Sequence, residues 1–226
     1  GKRRLSITAA DMRLKAKDVG KFYKIAGPAV YGQLAASFGF IILQMIILRA
    51  GKEISAAFSI GNKISNIILA VVMALSTTMS AFVGQNIGAK NADRAECAYR
   101  ASRNLSVALM LIGLVLLFPA RSLIVGFMSN DEQTVQASME YIIIVLITLP
   151  GLAMYQNYMG VFNGSGNTKL SLCLSFIWLW ALRIPMLLAV GRSDLPASMG
   201  IWLVMGASNL FVAVAGHFLY RRVKYE

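Results

Sequence analysis

The residues of this sequence that could do chemistry are polar side chains set inside long apolar stretches. Ser59, Asn62, Lys63, Asn66, Ala70, Met73 and Thr77 recur at i, i+3 and i+4 spacing, which places them on one face of a helix. Ala153, Gln156, Asn157, Gly160, Asn163 and Gly164 form a second such face, and Pro150-Gly151 ahead of them is expected to loosen the helix and free backbone carbonyls. Gln33, Ser37 and Gln44 share a third face below Pro28, and Arg183 stands two residues before Pro185. The chemistry on offer is recognition by hydrogen bond and charge. A single histidine (His217), no paired carboxylates inside the apolar stretches, no HExxH and no glycine-rich phosphate loop leave little for an enzyme to work with. Cys97 and Cys173 have neither metal-ligand spacing nor the numbers for a disulfide framework.

Each polar feature has two readings. Lys63 and the asparagines beside it either line an aqueous cavity, where the ammonium meets an anion or a carboxylate, or Lys63 snorkels outward while the asparagines bond neighbouring helices. Arg183 either binds an acidic group or clamps freed carbonyls. Gly32, Ala36 and Gly39 also suit close helix packing. His217, one turn from the basic tail, reads as an interfacial residue. The candidate substrate-cavity set is Gln33, Ser37, Asn62, Lys63, Asn66, Gln156, Asn157 and Arg183.

Membrane-spanning helices must position these residues. Of 226 residues 57% are hydrophobic and 14% charged, and the mean hydropathy is +0.63. A soluble domain carries about 25% charge. Uncharged or nearly uncharged runs at Ile25–Leu48, Ile54–Val83, Asn104–Ala120, Tyr141–Phe162, Leu170–Gly191 and Leu195–Tyr220 approach or exceed the span threshold of roughly 20 residues. Backbone in hydrocarbon must satisfy its own hydrogen bonds, so six transmembrane helices follow and the class is all-α. The spans are expected at about 25–48, 54–83, 104–120, 137–162, 170–191 and 197–220.

The net charge of +12 then becomes an orientation. Sixteen lysines and arginines fall in Lys2–Lys24, in the Lys90–Arg103 connection, at Lys169 and in the tail. Four (Arg49, Lys52, Arg121 and Arg192) fall on the opposite side. The asymmetry places both ends in the cytoplasm, and the charge is expected to meet anionic lipid and not nucleic acid. Residues 1–24 suit a basic amphipathic helix on the membrane surface or a flexible linker, and Arg121–Met128 is expected to run along the outer interface. Ser129-Asn130-Asp131 offers N-caps for the fourth span.

Two motifs carry a family resemblance. Gly84-Gln85-Asn86-Ile87-Gly88-Ala89-Lys90-Asn91-Ala92-Asp93-Arg94-Ala95 closely resembles a signature of the MATE (multidrug and toxic compound extrusion) family. So does Asn163-Gly164-Ser165-Gly166-Asn167-Thr168-Lys169, where the family usually has a Gly-(x)-Gly-Asp-Thr-like turn, and Pro28 and Arg183-Ile184-Pro185 are similar too. The likeness runs over residues 20–222. It implies one six-helix lobe, the carboxy-terminal one, of a twelve-helix exporter. Residues 1–24 would then match the connection between lobes, and 221–226 a cytoplasmic tail.

The implied activity is export of cationic or amphipathic organic compounds by alternating access, driven by inward Na⁺ or H⁺, in the inner membrane of a prokaryote. The implied partner is an amino-terminal six-helix lobe, which would hold the main coupling site. No other cofactor and no metal are expected. Some branches of the family place acids in the first and fourth helices of this lobe; here the first helix offers Gln33 and there is no acid between Tyr141 and Phe162, so neutral oxygens of Gln33, Asn62, Gln156 and Asn157 are expected to meet the substrate. A lipid-linked-saccharide flippase of the same superfamily would line its cavity with several cations, and only Lys63 and Arg183 are available. A non-transporting assembly subunit is the alternative from a different class.

Overall fold

The computed structural model describes residues 16–192 and 195–223. Its elements are α1 (Ala16–Arg49), α2 (Lys52–Gly88), α3 (Ala92–Met128), α4 (Glu132–Gly164), α5 (Thr168–Phe176), a π-helical segment (Ile177–Arg183), α6 (Ile184–Val190) and α7 (Ala197–Tyr220). Among the described residues six helices are long and apolar enough to cross a membrane, α5 to α6 counting together as Thr168–Val190.

The helices outrun the apolar runs that predict them. α3 covers 37 residues, about 55 Å at 1.5 Å per residue, against a hydrocarbon core of about 30 Å. Asn91 starts it by accepting the Arg94 N–H at 3.2 Å, so the basic connection becomes helix before the span begins. At its other end Arg121–Met128 continues the same helix and does not turn along the interface, because Pro119 is accommodated without a break. Likewise 16–24 is the first part of α1, continuous with the span, whereas residues 2–15 of the expected surface helix lie outside the described residues. Asp131 is the N-cap of α4: its Oδ2 accepts the Thr134 hydroxyl at 2.6 Å and the Thr134 N–H at 2.9 Å. These bonds hold its carboxyl below the ordinary carboxylate range.

α4 is the central post, packed on α2, α7 and α3, and α1 leans on α5. Lipid gives helices little hydrophobic reason to associate, so shape and polar fasteners hold the bundle. Tyr141 of α4 stacks on Trp202 of α7 at 4.3 Å, and Tyr99 of α3 stacks on Tyr220 at the same separation. The second stack joins the start of α3 to the end of α7, so Arg94, Arg100, Arg221 and Arg222 share one end of the bundle.

Pro150 does not interrupt α4. Its neighbour Gly151 serves an approach instead: a Cβ there would stand 2.8 Å from the Asn209 carbonyl oxygen of α7. The irregular helix is the fifth span. Pro185 has no N–H to give to the turn before it and its ring crowds that turn. The chain widens into a π-helical segment ending at Arg183 and resumes as α6, with Pro185 in its first turn.

The resemblance-bearing motifs are structural joints. Asn86 donates from Nδ2 to the Phe82 carbonyl at 2.7 Å, and its own carbonyl accepts the Asn91 N–H at 2.9 Å, which closes the α2–α3 turn. A Cβ on Gly84 would lie 3.1 Å from the Gly164 carbonyl, and one on Gly164 would run into the Ser80 carbonyl oxygen. The two glycines let α2 and α4 touch backbone to backbone. Gly166, at φ +74°, makes the turn into α5, where Asn167 Nδ2 donates to Ser165 Oγ at 3.1 Å.

Candidate functional site

Where the spans diverge they leave a cavity of about 600 Å³. α1 contributes Gln33, Ala36 and Phe40; α2 contributes Asn62, Asn66 and Met73; α4 contributes Tyr141, Tyr155, Gln156 and Asn163. The fifth span closes it with Ser171, Ser175, Trp178 and Arg183, and α7 reaches in with Asn209. A hollow of about 250 Å³ adjoins it, sharing Met73, Gln156, Met159 and Asn163 and extending to Thr77 and Ser80.

Five of the eight residues expected at a cavity therefore line one: Gln33, Asn62, Asn66, Gln156 and Arg183. Three do not. Lys63 is exposed and is absent from the cavity lining, one helical step of about 100° from Asn62. Ser37 is exposed as well, and Ala36 and Phe40 take the wall of α1. Asn157 is fully buried between α3 and α4, where its Oδ1 accepts the Ser102 hydroxyl at 2.7 Å and its Nδ2 donates to the Ala153 carbonyl at 2.9 Å. Gln44 donates to Ser55 Oγ at 3.0 Å and ties α1 to α2.

The lining is hydrogen-bonded in pairs that fix its orientation. Tyr141 donates its hydroxyl to Asn62 Oδ1 at 3.2 Å, and Ser171 donates to Asn163 Oδ1 at 2.7 Å. Tyr155 and Ser175 share a hydroxyl contact at 3.2 Å, while Ser76 donates to the Gln156 carbonyl at 2.6 Å and leaves the Gln156 side chain to the cavity.

Arg183 is only 6% exposed. Its Nε donates to Ser208 Oγ at 3.0 Å and its Nη2 to Asn209 Oδ1 at 2.8 Å, and the guanidinium lies 4.5 Å from the centre of the Trp178 ring. The partners it holds are side chains of α7 and not freed carbonyls. Among the described residues the ion pairs are Lys52–Glu53 and Arg100–Glu96, so Arg183 has no carboxylate. Nor do the described residues bring three His, Cys, Asp or Glu side chains together.

Sequence reading did not assign Trp178, Tyr155, Tyr141 and Asn209 to a site. Aromatic residues in apolar runs usually pack, and nothing local distinguishes those that border a void. Asn209 had a signal, since an amide inside the sixth span is costly unless partnered.

The MatE family model matches residues 28–188. Relatives include a protein named FAD transporter from Shewanella oneidensis, 27% identical over 98% of this chain and 48% of its own length. A probable multidrug resistance protein NorM from Thermotoga maritima is 21% identical over 90% of this chain and 44% of its own. Among solved structures, the Vibrio cholerae MATE transporter VcmN in the bent form superposes with a TM-score of 0.86 at 19% identity, covering 96% of this chain and 49% of that one. An outward-facing multidrug resistance MATE transporter also gives 0.86, at 16% identity. This chain thus spans about half the length of the relatives it matches. With a matching family model over most of its length and six apolar helices laid out as one lobe of those structures, the chain belongs to the MATE family of membrane transporters.

Proposed function

We propose that this chain is the carboxy-terminal lobe of an exporter that moves drugs or other amphipathic organic compounds across a prokaryotic inner membrane by alternating access. Inward Na⁺ or H⁺ drives it, both ends of this lobe lie in the cytoplasm, and an amino-terminal six-helix lobe completes the pathway. The observation that carries the reading is the cavity of about 600 Å³ walled by oriented amides and aromatic rings. Such a lining binds amphipathic molecules by contact and a few hydrogen bonds. The sequence-level expectation of a cationic substrate fits this half less well, because Arg183 is the one charged residue in the lining among the described residues. A second reading, export of a flavin dinucleotide, is favoured by the relative named FAD transporter together with that arginine.

Flux into proteoliposomes tests the proposal. The chain reconstituted together with a matching amino-terminal lobe is expected to give substrate flux that collapses when the Na⁺ and H⁺ gradients are dissipated. Gln156→Ala and Asn62→Ala each lower that flux several-fold, on the order of one lost hydrogen bond. Flux from this chain alone, or flux indifferent to both substitutions, overturns it.

A further inference from the structure

We infer that Arg183 and the rings around it form a binding subsite for an aromatic compound carrying an anionic group, a phosphate or a carboxylate. The inference deepens the exporter reading above and rests on it for the meaning of the cavity.

Three observations on the cavity wall converge. The first is charge. A guanidinium removed from water is costly unless an opposite charge or several acceptors compensate it. Arg183 is 6% exposed and no carboxylate among the described residues pairs with it. Its two bonds go to neutral oxygens, Ser208 Oγ and Asn209 Oδ1. An arginine has five N–H donors, so most of its capacity is left for an acceptor that enters the cavity. The other polar residues of the wall, such as Gln33, Asn62, Asn66 and Gln156, are neutral. Nothing there competes with an anion, and the low dielectric of a membrane-embedded site strengthens its attraction to the guanidinium.

The second observation is an unfilled donor. Trp178, 8% exposed and part of the same wall, has a buried indole Nε1 with no acceptor. Buried donors are nearly always paired, and this one stands beside a guanidinium that has no carboxylate partner among the described residues, so acceptor atoms are short on this part of the wall.

The third is preorganisation. Asn209 is itself braced, donating from Nδ2 to Thr148 Oγ1 at 3.3 Å, so the guanidinium is held in one orientation. Trp178 lies 4.8 Å from the Tyr155 ring and 5.8 Å edge-on from Phe40, and both rings also line the cavity. The three rings pack on one another and give the wall beside Arg183 an apolar, aromatic surface for a planar ring to lie against while its anionic group reaches the guanidinium. The π-helical turn that ends at Arg183 is what brings Trp178 and Arg183 to the same wall.

Flavin mononucleotide and riboflavin differ only in the phosphate and serve as the probe pair, with binding followed by flavin fluorescence on the complete protein purified in detergent. Wild type is expected to bind the phosphorylated flavin roughly tenfold or more tightly than riboflavin, the worth of a hydrogen bond to a charged group. Arg183→Gln brings the ratio to about one by weakening the phosphorylated flavin alone. Asn209→Asp keeps the shape of α7 and supplies Arg183 with a carboxylate in place, so it also erases the preference; it decides the matter where Arg183→Gln does not fold. A wild-type ratio near one overturns the subsite, and is the outcome if a carboxylate from a segment outside this chain already occupies Arg183. A preference that survives both substitutions overturns it too. Equilibrium binding needs no gradient, so loss of ion-coupled flux with the ratio intact would strike the exporter reading and not the subsite.

Discussion

Neighbouring residues of one helix divide between recognition and support. Gln156 has its backbone carbonyl engaged by Ser76 and lines the cavity with its side chain, whereas Asn157 turns the other way and joins α4 to α3 through Ser102. The two amides should therefore respond differently to removal. Asn157→Ala strands the buried Ser102 hydroxyl and is expected to lower stability by ~1–3 kcal/mol, read as a fall in the thermal midpoint of the detergent-purified protein, with ligand affinity unchanged where it folds. A loss of affinity without loss of stability would return Asn157 to the cavity. The same division separates Asn62 from Lys63: both were legible in the sequence as one polar stripe. A stripe has a width of more than one residue per turn, and only the neighbours decide which edge of it faces a void.

At the scale of elements, glycine and proline positions do the shaping. Gly164 lies against the Ser80 carbonyl where α2 and α4 cross, and backbone cannot move aside as a flexible side chain can. Gly164→Val is expected to destabilise the lobe by ~1–3 kcal/mol through forced separation of the two helices, measurable as lowered thermal stability. Gly166→Ala, where a Cβ meets open space but φ is +74°, tests strain in the turn by contrast. The prolines show how far sequence reading reaches. Pro150, Pro119 and Pro185 all lie inside apolar runs, and each by its type can break a helix. α4 and α3 run through theirs, while the span holding Pro185 widens into a π-helical turn. Neighbouring helices, Ser or Thr side chains and local π-helical adjustment can re-satisfy freed backbone groups, so the outcome is set by packing together with the proline and not by the proline alone.

For the whole molecule the governing feature is the separation of charge along the bundle. The connections between α2 and α3 and between α4 and α5, and the end of α7, are gathered at one end, as the Tyr99–Tyr220 stack and the Gly84–Gly164 approach require. Cys97, exposed near the start of α3, reports which side of the membrane that end occupies. In a Cys173→Ser background a membrane-impermeant maleimide is expected to leave Cys97 unlabelled in intact cells and to label it in inverted vesicles. Labelling in intact cells would reverse the orientation. Beyond its own packing the chain leaves much apolar surface uncovered, including Phe127 at 93% and Ile67 at 73%, as a membrane-spanning chain surrounded by lipid would.

The amino-acid sequence by itself determined the class, the number of spans, the charge asymmetry and the family likeness. These depend on sums and spacings along one dimension: twenty apolar residues, a face repeating every third or fourth position, a short motif closing a turn. Tertiary structure decided which polar residues border the cavity, because that is a relation among residues far apart in the chain. Arg183 depends on Ser208 and Asn209 of another span for its orientation and on Trp178 for its stacking surface. In the sequence it was equally a clamp or an anion ligand. In the fold it is held by neutral partners and left without a carboxylate among the described residues, and the desolvation cost of that arrangement turns a costly residue into a candidate binding group.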